Sequence, residues 1–290
     1  MRDACVELAR LIDTEHGGAD RVICAWETAG VIVDPGPAST VAKLLAGLEG
    51  VELRAILLTH IHLDHAAATG TLARRFPDAR IYVHEVGAPH LIDPSRLLKS
   101  AARLYGGEDR LVELWGEVLP VDPERLTALR GGESVEGFDV LPTPGHAAHH
   151  VVYLDPDDGS AYVGDLAGVR IPPGEVTVMP TPPPEIDVDA WLASIAALAE
   201  RRPQRLRLTH FGEVAAAAEQ LEAARASLLR TAELARGLDR GRFLRDLDRL
   251  IDAQPASAGE RMRAAMPPEQ VWLGLERYWR KLGEQQASGR

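Results

Sequence analysis

The sequence is poor in cysteine, in long apolar runs and in positive charge. Only two cysteines, Cys5 and Cys24, occur in 290 residues, too few for a disulfide framework and too isolated to offer a thiolate metal site. Both stand in apolar, strand-like surroundings; a hairpin could bring them together, but two lone cysteines in a chain of this size read as reduced core residues. No window approaches the ~20 apolar residues that span a bilayer. The opening Met1-Arg-Asp-Ala-Cys-Val-Glu-Leu-Ala-Arg10 has no uninterrupted apolar stretch of signal-peptide type, so the expected location is the cytoplasm, away from membrane. With 32 Lys and Arg against 43 Asp and Glu the net charge is -11. That balance argues against nucleic acid as the main partner, because phosphate binding needs clustered basic side chains. A small-molecule substrate is the expected partner, with a homodimer as the candidate assembly.

What is present is enough apolar residue, 46% of the chain, for one large α/β domain with or without a helical appendage. The first third reads as short strands punctuated by turns: Cys5–Ile12, Val22–Trp26, Gly30–Val33 before the breaker Asp34-Pro-Gly-Pro37, then a helix over Ala38–Leu48 and a buried strand at Ala55–Leu58. A strand is expected at Arg80–His84, and residues 86–118 read as two or three inserted helices. Strands return at Phe138–Leu141, Val151–Leu154 and Ala161–Val163. Gly168–Glu185 is a proline-rich loop, too poor in backbone donors for regular structure. A helix at Trp191–Arg201, a last short strand at Leu206–Leu208 and helices at Val214–Leu238, Phe243–Ile251 and Val271–Leu282 complete the chain. The expected division is a catalytic domain over residues 1–212 and a helical C-terminal region over 213–290.

The chemistry-bearing residues sit where strands end. In Thr59-His60-Ile-His62-Leu-Asp64-His65, extended alternation points His60 and His62 the same way. A helix starting near Asp64 then turns Asp64 and His65 toward a neighbouring point. Three histidines and one aspartate within six residues are too many buried polar groups to lack partners. One short loop can thus serve two metal ions, His60 and His62 on one, Asp64 and His65 on the other. Imidazole and carboxylate ligands suit divalent zinc, iron or manganese.

This H-x-H-x-D-H motif after an apolar strand resembles the signature of the metallo-β-lactamase superfamily, and later residues follow that family's order. They are His146 in Pro142-Thr-Pro-Gly-His146, Asp165 in Tyr162-Val-Gly-Asp165, and His210 in Leu206-Arg-Leu-Thr-His210; Val33-Asp34-Pro-Gly36 resembles the family's early strand-turn. The resemblance implies an αββα sandwich of two mixed sheets with helices outside. It implies a first metal on His60, His62 and His146, a second on Asp64, His65 and His210, and Asp165 bridging both. Two such ions, zinc first among the options, activate a hydroxide near neutral pH; Asp64 would orient it or pass its proton to the leaving group. His149 and His150 beside His146 are expected to support ligands through hydrogen bonds, and either is the alternative to His146 itself. His84 reads as structural or supporting; His16 and His90 read as loop or surface residues. Tyr105 and Trp115 read as core of the inserted helices, and Phe211 as near the metals without touching substrate. The Val169–Pro184 loop is the candidate for shaping the substrate pocket.

Fold alone does not choose among the superfamily's chemistries. After Asp165 the chain continues Leu-Ala-Gly168-Val-Arg170, without the Gly-Cys-Gly-Arg stretch of hydroxyacylglutathione hydrolases and persulfide dioxygenases, and with Gly168 where acyl-homoserine lactonases have tyrosine. The helical tail resembles the region that glyoxalase-II-like proteins lay over their site. The expected activity is therefore a glyoxalase-II-like dinuclear metal-dependent hydrolase acting on a carboxyl ester, thioester or lactone through a metal-bound hydroxide. A mononuclear non-haem iron oxygenase of thiols or persulfides is the alternative, and a metal-stabilised binding protein without catalysis the third. Arg170 reads as the one cation near the ligands, which favours neutral acyl groups over phosphodiesters.

Overall fold

The computed structural model describes residues 9–288; Cys5 lies outside them, and Cys24 is a free, buried thiol. The first sheet runs in chain order through β1 (Arg10–Asp13), β2 (Cys24–Thr28), β3 (Val31–Val33), β4 (Ala55–Leu57), β5 (Arg80–His84) and β6 (Leu126–Leu129). The second runs through β7 (Ser134–Val135), β8 (Phe138–Pro142), β9 (Val151–Leu154), β10 (Ser160–Gly164), β11 (Arg205–Leu208) and β12 (Gly212–Val214). Both are mixed: β3 to β6 pair in parallel, as do β10 and β11, and the other pairs are antiparallel.

Period-2 alternation divides each strand between two cores. Val31, Val33, Ala55 and Leu57 face the second sheet, where they meet Phe138, Val140, Val151, Tyr153 and Tyr162. The intervening Ile32, Ile56 and Ile81 stand in register across β3, β4 and β5. They face outward onto Leu44, Leu48 and Leu72, carried by and around α1 (Val41–Gly47), α2 (Leu63–Ala66) and α3 (Thr69–Arg75). All three isoleucines are fully buried, so truncating one to alanine should cost about 2–5 kcal/mol. Three helices, α4 (Ala88–Ile92), α5 (Ser95–Tyr105) and α6 (Glu108–Trp115), fill the expected insertion between β5 and β6.

On the far side, α7 (Val188–Glu200) starts where Asp187 accepts a hydrogen bond from Ala190 N at 3.0 Å. Behind it lie α8 (Ala217–Arg236), α9 (Arg240–Asp252), α10 (Ala256–Ala265) and α11 (Pro268–Ser288). Leu221, Ala224, Leu228, Ala232 and Ala235 recur at helical spacing on α8 and join the outer face of the second sheet in one core, which also takes in Phe243, Met262 and Trp272. The layers are αββα with C-terminal helices.

Several element readings need correction. Leu206–Leu208 is not the last strand: Gly212–Val214 forms β12, so the helix expected from Val214 begins at Ala217. Leu208 pairs with Gly212 and Leu206 with Val214 across a tight turn; three residues give no periodic signal. The same brevity hid β7, and α10 carries too few apolar residues to announce itself. Val22 and Ile23 precede β2 and pack instead with Leu63, Leu111 and Trp115.

Candidate metal centre

Four strands deliver their following residues to one edge of the sandwich. Asp34 follows β3, Thr59 and His60 follow β4, Asp165 follows β10, and Thr209 and His210 follow β11. Backbone bonds stitch the two sheets together there: Val151 N donates to Thr59 O at 2.8 Å and Cys24 N to Thr209 O at 2.9 Å. Gly164, at φ +48°, permits the close approach, since a Cβ on it would lie 2.5 Å from Thr59 Oγ1 and 2.9 Å from His150 Nε2.

The edge carries two ligand groups, His60 with His62, His146 and Asp165, and Asp64 with His65, Asp165 and His210; within each, the candidate donor atoms all lie within 4.8 Å of one another. Asp165 belongs to both. Its Oδ2 is 3.0 Å from His146 Nε2 and 3.7 Å from His60 Nε2, while Oδ1 is 3.5 Å from His65 Nε2 and 3.6 Å from His210 Nε2. His62 Nδ1 lies 2.8 Å from His146 Nε2. Asp64 Oδ2 is 3.3 Å from His210 Nε2 and 3.6 Å from His65 Nε2. His60 Nε2, His65 Nε2 and Asp165 Oδ1 are buried with no hydrogen-bond partner, which is costly unless a cation takes them up. All seven expected ligands are thus brought together, in the two sets expected, and the donor set fits a pair of divalent ions. His149 is in neither group.

The two groups differ electrostatically. Burial, reinforced by neighbouring histidines, pushes His60 well down and His62 to about 3, and burial lowers His146. These imidazoles are therefore neutral, the form that coordinates a metal. In the second group burial works against charge, but the surrounding carboxylates overcome it and raise His65 and His210. Burial would likewise raise Asp64 and Asp165. The histidines beside them instead hold both carboxyls below the usual range. The site is arranged around compensated charge.

Four of the five candidate ligand rings, all but His62, are aimed by the nitrogen they keep away from the cluster, a device that fixes ring orientation and tautomer. His65 Nδ1 is 2.8 Å from Asp34 Oδ2, His60 Nδ1 3.1 Å from Thr59 Oγ1, His146 Nδ1 2.9 Å from Pro180 O, and His210 Nδ1 2.8 Å from Val22 O. Asp34 also accepts from Thr59 N and Oγ1 at 2.8 and 2.7 Å. The sequence placed Asp34 in a turn and gave no sign of this role. His150 supports the site as expected: its Nδ1 meets Thr143 Oγ1 at 2.8 Å and its Nε2 accepts from Asp165 N at 3.3 Å. His149 makes no such bond to a ligand; its Nδ1 is 4.0 Å from Glu185.

A cavity of about 740 Å³ opens beside the cluster, with His62, Asp64 and Asp165 in its wall. The loop Pro180–Pro184 and the start of α11 line it, as do Tyr105 and Trp115. His16, expected in a loop or on the surface, lies in the turn between β1 and β2 but is buried and lines the cavity, stacked on Trp115 with centroids 4.9 Å apart. Its neighbours Gly17 and Gly18, both at positive φ, make the tight turn that brings it inward. Arg170 is not in the wall; Arg103, Arg110 and Arg277 are. The expectation of a single nearby cation fails because helices remote in sequence supply the others.

Comparison with known proteins follows the same lines. A family model described as Metallo-beta-lactamase superfamily matches residues 26–210. The metallo-beta-lactamase fold-containing protein ST1585 of Sulfurisphaera tokodaii is 28% identical over 200 residues, 67% of this chain and 72% of that protein. The solved structure of ST1585 from Sulfolobus tokodaii is similar in fold, with a TM-score of 0.63 at 23% identity over 78% of this chain and 86% of that one. TTHA1623 in a di-iron-bound form is 28% identical, with a TM-score of 0.51 over 73% of this chain and 91% of that one. A hydroxyacylglutathione hydrolase of Thermosynechococcus vestitus is 31% identical over 134 residues, 46% of this chain and 42% of the other, so the match spans less than half of that enzyme.

Proposed function

The chain belongs to the metallo-beta-lactamase superfamily, whose family model matches residues 26–210, and from that premise we propose that it is a dinuclear metal-dependent hydrolase of carboxyl esters, thioesters or lactones. The observation that carries the reading is the division of Asp165, one carboxylate oxygen toward each histidine group. A carboxylate so placed can hold two cations close together and offset their repulsion. When bound, a pair of divalent ions supplies the activation of water and the polarisation of a carbonyl. Support for two ions also comes from the relative TTHA1623, solved with two irons, and for acyl chemistry from the hydroxyacylglutathione hydrolase. Zinc is the proposed metal, with iron or manganese as substitutes compatible with the same ligands.

Asp64 is the residue of the cluster best placed to handle a proton. It faces both His210 and the cavity, and its side chain is 20% exposed where His65, His210 and Asp165 are almost fully buried. Held ionised by the histidines, it accepts a hydrogen bond from an attacking water and orients it, then relays the proton to the leaving group. The apolar part of the cavity wall, with Leu63, Leu97, Leu104 and Val271, suits the carbon chain of an acyl substrate.

The test is elemental analysis of protein purified without chelator, paired with turnover of an ester, thioester and lactone panel and of a phosphodiester. About two divalent ions per chain with acyl hydrolysis dominant is the expected result. One iron per chain with dioxygen uptake would replace this reading with the oxygenase; metal without turnover of any class would replace it with a binding protein.

A further inference from the structure

The chain is acidic overall, at -11, yet the cavity beside the metal cluster is not. Apart from Asp64 and Asp165, which belong to the cluster, its wall contains no carboxylate, while Arg103, Arg110 and Arg277 all enter it. They come from three helices, α5, α6 and α11, so no single amphipathic face accounts for their meeting. Their states differ. Arg110 is ion-paired to the exposed Glu113 at 2.6 Å. Arg277 spends Nε on Pro184 O at 3.2 Å, which leaves its terminal nitrogens. Arg103 makes no hydrogen bond or ion pair among the described residues. The arginines are exposed and the cluster is largely buried, and the same wall carries the apolar Leu97, Leu104, Leu114 and Met266.

An arginine's planar fork matches carboxylate and phosphate oxygens. We propose, resting on the hydrolase reading above, that the cavity takes an acyl ester or thioester with an anionic group at the end remote from the scissile carbonyl, held by Arg103 and Arg277. The apolar wall would cover the carbon chain between the two ends. The scissile carbonyl would then lie at the cluster, and the anion at the mouth, where the guanidinium groups remain hydrated and adaptable. No covalent step beyond ester hydrolysis is involved.

The experiment uses the full, metal-loaded chain and matched thioesters of equal chain length, one ending in carboxylate, one in phosphate and one in a neutral methyl ester. The anionic substrates should show a KM lower than the neutral one by roughly three- to tenfold, the worth of partly solvated charge-assisted bonds. The double variant Arg103→Gln/Arg277→Gln should collapse that ratio toward one, and added salt should narrow it in the native chain. The order of carboxylate and phosphate identifies the natural anion. Equal KM for charged and neutral substrates, or a ratio untouched by the double variant, overturns the proposal while leaving the hydrolase reading intact. If no acyl substrate is turned over, the hydrolase reading fails; calorimetry with the carboxylate-ended acid and its methyl ester then decides the arginine site alone. Tighter binding of the acid, abolished in the double variant at unchanged melting temperature, sustains the site, and equal binding removes it.

Discussion

Asp34 Oδ2 stands 2.8 Å from His65 Nδ1, so the carboxylate that ends β3 aims an imidazole delivered by α2. The same carboxylate holds Thr59 by two bonds and accepts from Thr209 Oγ1 at 3.2 Å, and so joins the ends of β3, β4 and β11. Asp34→Ala should lower metal affinity by roughly 10–100-fold, the usual effect of losing such a support. The loss should be greatest in the group formed by Asp64, His65 and His210. Competition with a chromogenic chelator measures it; unaltered affinity would mean that His65 is held by packing alone.

Asp165→Asn tests the shared ligand. An amide keeps the volume but loses the negative charge that faces four histidines. Metal content should fall from two toward one or none, and activity with it, while the melting transition remains cooperative. Full metal content and activity in this variant would remove the central support for a dinuclear site.

The histidines after Gly145 should rank by their contacts. His146→Ala removes a member of the first group and should abolish metal binding there. His150→Ala removes the acceptor of Asp165 N and should cost on the order of 10–100-fold in affinity. His149→Ala, which touches no ligand by hydrogen bond, should cost least. Metal titrations of the three variants side by side give the order, and a reversal between His146 and His149 would move the ligand.

Cys24 offers a test by pH. Burial raises its thiol far above the ordinary range, and Sγ donates to Leu208 O and Thr209 O at 3.2 and 3.4 Å. Raising the pH from 7 to 9 ionises an ordinary exposed thiol but should leave Cys24 protonated and unreactive. Iodoacetamide labelling with peptide mapping should find Cys24 modified only after denaturant is added. Labelling at pH 9 in the native state would show that the start of β2 opens readily.

The legible part of this protein was the part encoded locally. Three histidines and an aspartate between residues 60 and 65 announce their purpose, and His146, Asp165 and His210 follow strands whose apolar runs are readable. The unreadable part depends on distant partners. Asp34 looks like a turn residue until β4 and α2 surround it. His16 looks exposed until α6 lays Trp115 against it. The three arginines of the cavity lie on solvent-facing positions of their own helices, and only the packing of α5, α6 and α11 turns them toward one space. Short elements failed for a different reason: Gly212–Val214 is held by pairing with β11, not by any preference of its own.

One strut reaches from the tail to the candidate metal ligands. Pro180 O fixes His146 Nδ1, and the adjoining Thr181 Oγ1 donates to Val271 O on α11 at 2.8 Å. Gly274 on the same helix packs so closely that a Cβ would lie 1.9 Å from Thr181 O. The last helix is therefore a brace for His146, a candidate ligand with which it makes no hydrogen bond. A preparation nicked by a protease between α10 and α11 should still show both sheets in circular dichroism, yet leave a desalting column short of metal, and loss of metal would be the earliest sign that its terminal helix had come away.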